Sequence, residues 1–202
     1  MYPNHISSAT TFIKALNNPE FFHLGYDYKR ADGTLIRKVD NFNNDTQHRA
    51  MYDNILSCNG VFIRKDIALQ YPFEEDRKLA SSEDWELWIR LLSRYPFRFS
   101  NQITSTIVSH NDRSIRTIPS LKLIDRDLLL IEKLSADKPV IQKYGNRFKK
   151  FVADRFTYFM LSLAEEGNYK QVWSWAFRAF KTYPLILGNR RFLASLKKTV
   201  LR

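Results

Sequence analysis

The hydrophobic and polar positions along the chain follow two regimes. Up to about residue 115, short aromatic-rich runs alternate with turn signals; beyond it only helical spacing is present. Residues 4–17 predict a helix with Ile6, Ala9, Phe12, Ile13 and Leu16 on one side, stopped by Asn17-Asn18-Pro19. Residues 21–29 predict a strand, Ala31-Asp32-Gly33 a turn and residues 34–39 a returning strand, together a hairpin. Residues 46–56 predict a helix with Met51 and Ile55 inward. Residues 57–64 predict a buried strand in which Gly60 lets backbone or ligand approach closely. A turn of helix over 65–70 and a carboxylate-rich loop, Glu74-Glu75-Asp76, lead to a helix from Ser81. Short strands are predicted at 97–99 and 103–108. Helices then follow at 121–134, at 140–166 with a kink near Tyr144-Gly145, at 169–183 and at 185–202.

The helix from Ser81 has the most informative pattern. Ser81 and Asp84 have a capping-box-like spacing, and acidic residues fill the first turn. At about 100° per residue, Glu83, Glu86, Arg90, Ser93 and Arg94 share a polar arc, while Trp85, Leu87, Trp88, Ile89, Leu91 and Leu92 share an apolar one. Asp84 breaks the division by projecting from within the apolar arc. A carboxylate there loses solvent and its pKa rises, unless a cation, a metal or backbone donors offset the loss. Such a group reads as a candidate general base and, equally, as a capping group or the partner of a buried arginine.

Composition and charge narrow the picture. With 44% hydrophobic and 14% aromatic residues, the 202-residue chain is globular in composition and can bury a core. No apolar run approaches the roughly 20 residues of a membrane span, and the N-terminus lacks a signal-peptide layout. The single cysteine, Cys58, excludes an internal disulfide and a multi-cysteine zinc site, and is expected to be a buried, reduced thiol in a cytosolic protein. Charge is uneven. Residues 1–112 hold 13 Lys+Arg and 14 Asp+Glu, net −1, whereas residues 113–202 hold 19 and 7, net +12. The basic character therefore belongs to the helical part alone, with nucleic acid, an anionic membrane or another protein as possible partners.

Asn59-Gly60-Val61-Phe62-Ile63-Arg64-Lys65, Phe73-Glu74-Glu75-Asp76, Ser82-Glu83-Asp84-Trp85-Glu86-Leu87-Trp88 and His110 with Ser114 resemble, in order and spacing, the second half of an inverting family-two glycosyltransferase of the GT-A fold. The resemblance covers roughly residues 1–116. Tyr2-Pro3 and the helix after it resemble the segment that follows the family's metal-binding Asp-x-Asp. It implies an α/β fold, the acceptor-side half of a GT-A-like mixed sheet over residues 1–115; the helical spacing and charge beyond it add an all-helical, basic extension over 116–202. It implies transfer of a sugar from a nucleotide-sugar to a hydroxyl of a saccharide or glycolipid acceptor. Asp84 would be the catalytic base, with Glu83 orienting the site or touching the acceptor. Asn59, Gly60, Trp88 and Arg113 would border substrate, and His110 would sit by a divalent metal (manganese or magnesium) or the donor diphosphate. The family's nucleotide-binding half is expected to be missing, so most metal ligands would be missing too and the chain alone should not transfer sugar.

Each assignment has a plainer reading. His110 can be a strand-end histidine satisfied by backbone and Arg113 surface charge; Trp85 and Trp88 fit core packing better than sugar stacking. Asn59 and Gly60 can belong to an ordinary buried strand, and Glu74 to Asp76 to a solvated loop. The alternative function is a non-catalytic module whose basic helical tail docks on an anionic membrane or a partner protein. A nucleic-acid role finds no zinc-finger, RNP or helix-turn-helix signature. The expected location is cytoplasmic, with peripheral attachment at the inner face of the membrane as an option.

Overall fold

The computed structural model describes residues 1–109 and 119–201. The order of elements is α1 (His5–Ala15), β1 (Phe21–Arg30), β2 (Leu35–Val39), α2 (Thr46–Tyr52), β3 (Val61–Ile63), α3 (Lys65–Gln70), α4 (Glu83–Arg94), β4 (Arg98–Ser109), α5 (Ser120–Ala136), α6 (Lys138–Tyr144), α7 (Asn146–Glu165), α8 (Tyr169–Thr182) and α9 (Arg190–Val200). Short 3₁₀ turns lie at Arg77–Leu79 and Pro184–Gly188. The architecture is α/β, with a small, open, mixed four-stranded sheet and many helices. It divides into two compact units, Met1–Glu75 with Glu83–Arg116, and Asp76–Ser82 with Thr117–Arg202.

In the first unit β1 is the strand on which the sheet is built. Its length runs parallel to β4, from Phe22 opposite Arg98 to Arg30 opposite Ser109. Its other edge is shared: Phe21, Phe22 and His23 pair with β3, and Tyr26 to Lys29 with β2, both antiparallel. Halfway along, β4 carries extra residues, so Leu24 faces Ser100 but Gly25 faces Ile103. A Cβ on Gly25 would lie 2.9 Å from the carbonyl oxygens of Asn101 and Gln102, so the bulge and the glycine require each other.

The side chains of β1 divide between two cores. One core joins Phe21 to Tyr26, with Phe42, Ala50, Leu56, Leu87, Trp88, Leu91 and Leu92; the other joins Phe22 and Leu24 to Ala9, with Phe12 and Ile13 against them. Helix α1 thus covers one face of β1, and α2 with α4 the other.

Several sequence expectations change in the folded chain. The strand expected over 57–64 is confined to Val61–Ile63 and is only part-buried, because residues 57–60 turn sharply: Gly60 N–H donates to Ser57 O at 2.8 Å. The two strands expected at 97–99 and 103–108 are one bulged strand. The helix at 46–56 ends at Tyr52. Ile6 of α1 faces solvent. The helix over 140–166 is two helices separated at Gly145.

In the second unit α7 is central. Phe151, Phe159, Met160 and Leu163 are buried along it, with Leu130 and Leu134 of α5, Val172 and Trp175 of α8 and Phe192 of α9. Asp127 of α5, fully buried, is held by Arg155 of α7 through Nε at 2.8 Å and Nη2, and by Arg126 Nε at 3.2 Å.

Candidate functional site

The site is assembled by two tryptophans. Trp85 Nε1 donates to Ala50 O at 2.6 Å and Trp88 Nε1 to Leu56 O at 3.0 Å. Both indoles are buried, so these bonds fasten the whole segment between Ala50 and Leu56 onto α4. Asn54 lies between the two anchors, and its Nδ2 reaches Asp84 Oδ1 at 3.0 Å. Trp88 is 2% exposed with its ring in the core, so it supports the site from behind and offers no face for a sugar.

Asp84 stands at the start of α4. Its Oδ1 accepts from Asn54 and from the backbone N–H of Trp85 at 2.7 Å, while Oδ2 faces the Cys58 thiol, with Sγ at 3.7 Å. No arginine, lysine or histidine makes an ion pair with it among the described residues. Burial raises its pKa above the ordinary carboxylate value, and the neighbouring charge of Glu83 adds to this; the bonds from Trp85, Asn54 and Cys58 oppose the rise without cancelling it. With Oδ1 occupied by two N–H donors, Oδ2 is the oxygen with room to take a proton. Glu83 is half-buried, and its Oε2 is buried without a hydrogen-bond partner.

Two expectations about this helix are corrected. Ser81 does not cap it: α4 begins at Glu83, and Ser81 adopts φ 73°, in the left-handed region. Glu86 is not on a solvated arc. It is 3% exposed and paired with Arg90 at 2.7 Å, and Arg90 Nη2 holds Pro72 O at 2.8 Å, which ties down the start of the acidic loop. In that loop Glu75 and Asp76 are exposed, and Asp76 Oδ1 accepts from Lys78 N at 2.9 Å.

The turn before β3 supplies the other wall. Cys58 is an exposed residue rather than a buried one, yet its thiol leans on Asp84. Burial of the sulfur and the Asp84 charge push the thiol up to about 11, so it stays protonated and can donate. Asn59 Nδ2 donates to Thr106 O at 3.3 Å, tying this turn to β4. Gly60 is a close approach, but to protein: a Cβ there would lie 2.5 Å from His23 Cε1 and 2.6 Å from Leu24 O.

His23 is a supporting residue that sequence reasoning missed. It is fully buried on β1, and its Nε2 accepts from Ser57 N at 3.1 Å, so it positions the turn that presents Cys58 and Asn59. Burial depresses its pKa to about 3, which keeps the imidazole neutral. Asp27, also on β1, is 5% exposed; Tyr2 OH donates to its Oδ2 at 2.8 Å, while Oδ1 is buried without a partner. In sequence both residues sat inside an aromatic strand with nothing to mark them.

His110 and Arg113 lie outside the described residues. Among the described residues no group of three His, Cys, Asp or Glu side chains could hold a metal ion, so none fits the divalent cation implied by the resemblance. The chain contains one Asp-x-Asp, Asp125-Arg126-Asp127. It lies within α5, where Asp125 is exposed and Asp127 is buried against Arg155, so the two carboxylates do not converge. Among the described residues no helix is long and apolar enough to cross a membrane.

The structure therefore brings Asp84, Glu83, Cys58 and Asn54 together, with Asn59, Gly60 and Trp88 holding the surrounding backbone. Compared with known proteins, the chain matches no family model, no curated protein and no solved structure.

Proposed function

We propose that the chain is the acceptor side of a GT-A-type glycosyltransferase, with Asp84 as the base that takes the proton from an acceptor hydroxyl as that oxygen attacks the anomeric carbon of a nucleotide-sugar. The observation that carries the reading is the state of Asp84: half-buried, raised in pKa, without an ion-pair partner among the described residues, and held by two N–H donors on Oδ1 and by a thiol on Oδ2. A base needs this combination, because hydrogen bonds fix its direction while desolvation raises its basicity. Glu83 lies beside it with a buried, unpartnered oxygen and is assigned to acceptor binding or orientation. A divalent cation, where bound, would supply charge neutralisation at the donor diphosphate.

The test is turnover in a form of the protein that transfers sugar. Asp84→Asn keeps the donor to Oδ1 and the shape of the side chain, so folding should persist while turnover drops at least ~100-fold, the range of a lost general base. Glu83→Gln should be milder. Near-normal turnover in Asp84→Asn contradicts the assignment.

A second reading concerns the helical unit, and a specific feature favours it. Trp173, Phe177 and Phe180 of α8 are 52%, 67% and 42% exposed and follow one another at helical spacing. Residues 167–202 hold eight Lys and Arg and no Asp or Glu. Exposed aromatics bordered by cations suit insertion at an anionic bilayer surface. Vesicles containing anionic lipid should bind the chain and release it in high salt, and the triple variant Trp173→Ser, Phe177→Ser, Phe180→Ser should lose binding. Equal binding to neutral vesicles, or by the triple variant, contradicts this reading.

A further inference from the structure

A cavity of about 190 Å³ opens beside the Asp84 site and is not used by the chemistry above. Its floor is made by Tyr26 and Phe42, and the Tyr26 hydroxyl is committed to Ile55 O at 3.0 Å. Arg37 of β2 and Arg49 of α2 also line it; Lys38, next along β2, is paired in strand register with Asp27, so its backbone borders the cavity while its side chain leaves on the other face of the sheet. We propose that this cavity is an anion subsite that seats the phosphoryl or carboxylate group of an acidic acceptor, and so selects the molecule whose hydroxyl is presented to Asp84.

Two arginines, Arg37 and Arg49, and one carboxylate, Asp53, contribute to the lining, a local excess of positive charge in a region of the chain whose net charge is −1. It is therefore not an overflow of the basic tail. Arg37 lies over the Tyr28 ring at 4.4 Å, and Arg49 has no ion-pair partner among the described residues. Arginine forks match the oxygens of a phosphoryl or carboxylate group. The aromatic floor suits the apolar face of a sugar ring. The volume equals roughly six waters at about 30 Å³ each. It is below the roughly 300–1,000 Å³ of pockets that enclose drug-sized ligands, which favours an anionic group with its first ring over a whole nucleotide.

Asn54 joins the two places. It lines the cavity and, through Nδ2, holds Asp84 Oδ1 at 3.0 Å. An acceptor anchored by its charged group is thereby placed next to the residue that orients the base. The role in acceptor choice rests on Asp84 being that base; the affinity for anions does not.

The experiment is an amide NMR titration of the 202-residue chain at physiological salt with glucose 1-phosphate, glucuronate, uncharged glucose and uridine diphosphate. The two acidic sugars should shift residues 37–41 and 49–55 saturably and glucose should not. Arg37→Gln and Arg49→Gln should each weaken binding at least 5-fold. Equal shifts with glucose, or binding indifferent to both substitutions, overturn the subsite. Uridine diphosphate binding more than 10-fold tighter than glucose 1-phosphate assigns the cavity to a donor diphosphate and overturns the acceptor role. If the acidic sugars bind as expected while Asp84→Asn retains turnover, the catalytic reading fails and the anion subsite stands.

Discussion

Two helical aspartates, one in each unit, show how the same residue is put to different uses. Asp127 in α5 is fully buried and meets two arginines, with Arg155 reaching it through both Nε and Nη2. Asp84 in α4 keeps partial access to solvent and meets an amide, a backbone N–H and a thiol. Paired with cations, a carboxylate becomes a structural joint, because its charge is already neutralised. Left with neutral donors in a part-dry setting, it keeps both its charge and its appetite for a proton. Burial alone separates nothing here; the partners do.

The comparison can be broken most forcefully at Asp127. Asp127→Ala removes the buried carboxylate that Arg155 and Arg126 meet, and about 3–5 kcal/mol of stability should be lost, the range for breaking a buried pair, read by denaturant unfolding. Asp84→Asn, by contrast, should cost little and should gain on the wild type as pH rises. The folded pKa of Asp84 lies above the unfolded one, so the folded state holds the extra proton and stability falls as pH climbs from 3.8 through the folded value; the asparagine variant escapes that loss. A large destabilisation by Asp84→Asn at neutral pH would place both aspartates in the structural class.

His23 sharpens the same contrast with the opposite sign. Its folded value, about 3, lies below the unfolded 6.5. The unfolded chain therefore takes a proton that the folded chain refuses, and stability falls as pH drops from 6.5 toward 3. The slope from this group approaches about 1.4 kcal/mol per pH unit within that window. In His23→Gln the slope should diminish by that amount, and an unchanged slope would mean that the ring is not desolvated as its surroundings require.

Much of this was legible in the sequence, for identifiable reasons. The hairpin, α3 and the apolar arc of α4 follow from local periodicity and turn residues, which need no knowledge of distant neighbours. Asp84 could be singled out because a carboxylate within an apolar arc is a local anomaly. What was not legible depends on long-range contacts. The bulge opposite Gly25 exists only because β4 carries extra residues more than 70 positions later, and Phe21 and Tyr26 nevertheless share one core. Glu86 looked solvated by its arc but is buried with Arg90. His23 is silent until Gly60 and Ser57 close on it, and Asn54 until two indoles bring its segment to α4.

The central claim is that Asp84 is a carboxylate left available for proton transfer, and its own titration tests this without knowledge of the substrate. Carbon-detected NMR of the side-chain carboxyl in the 202-residue chain should give a midpoint above the ordinary 3.8, moving higher in Asn54→Leu, where a stabilising donor is removed. A midpoint at or below 3.8, unmoved by Asn54→Leu, would show a carboxylate satisfied by its surroundings and would contradict the account.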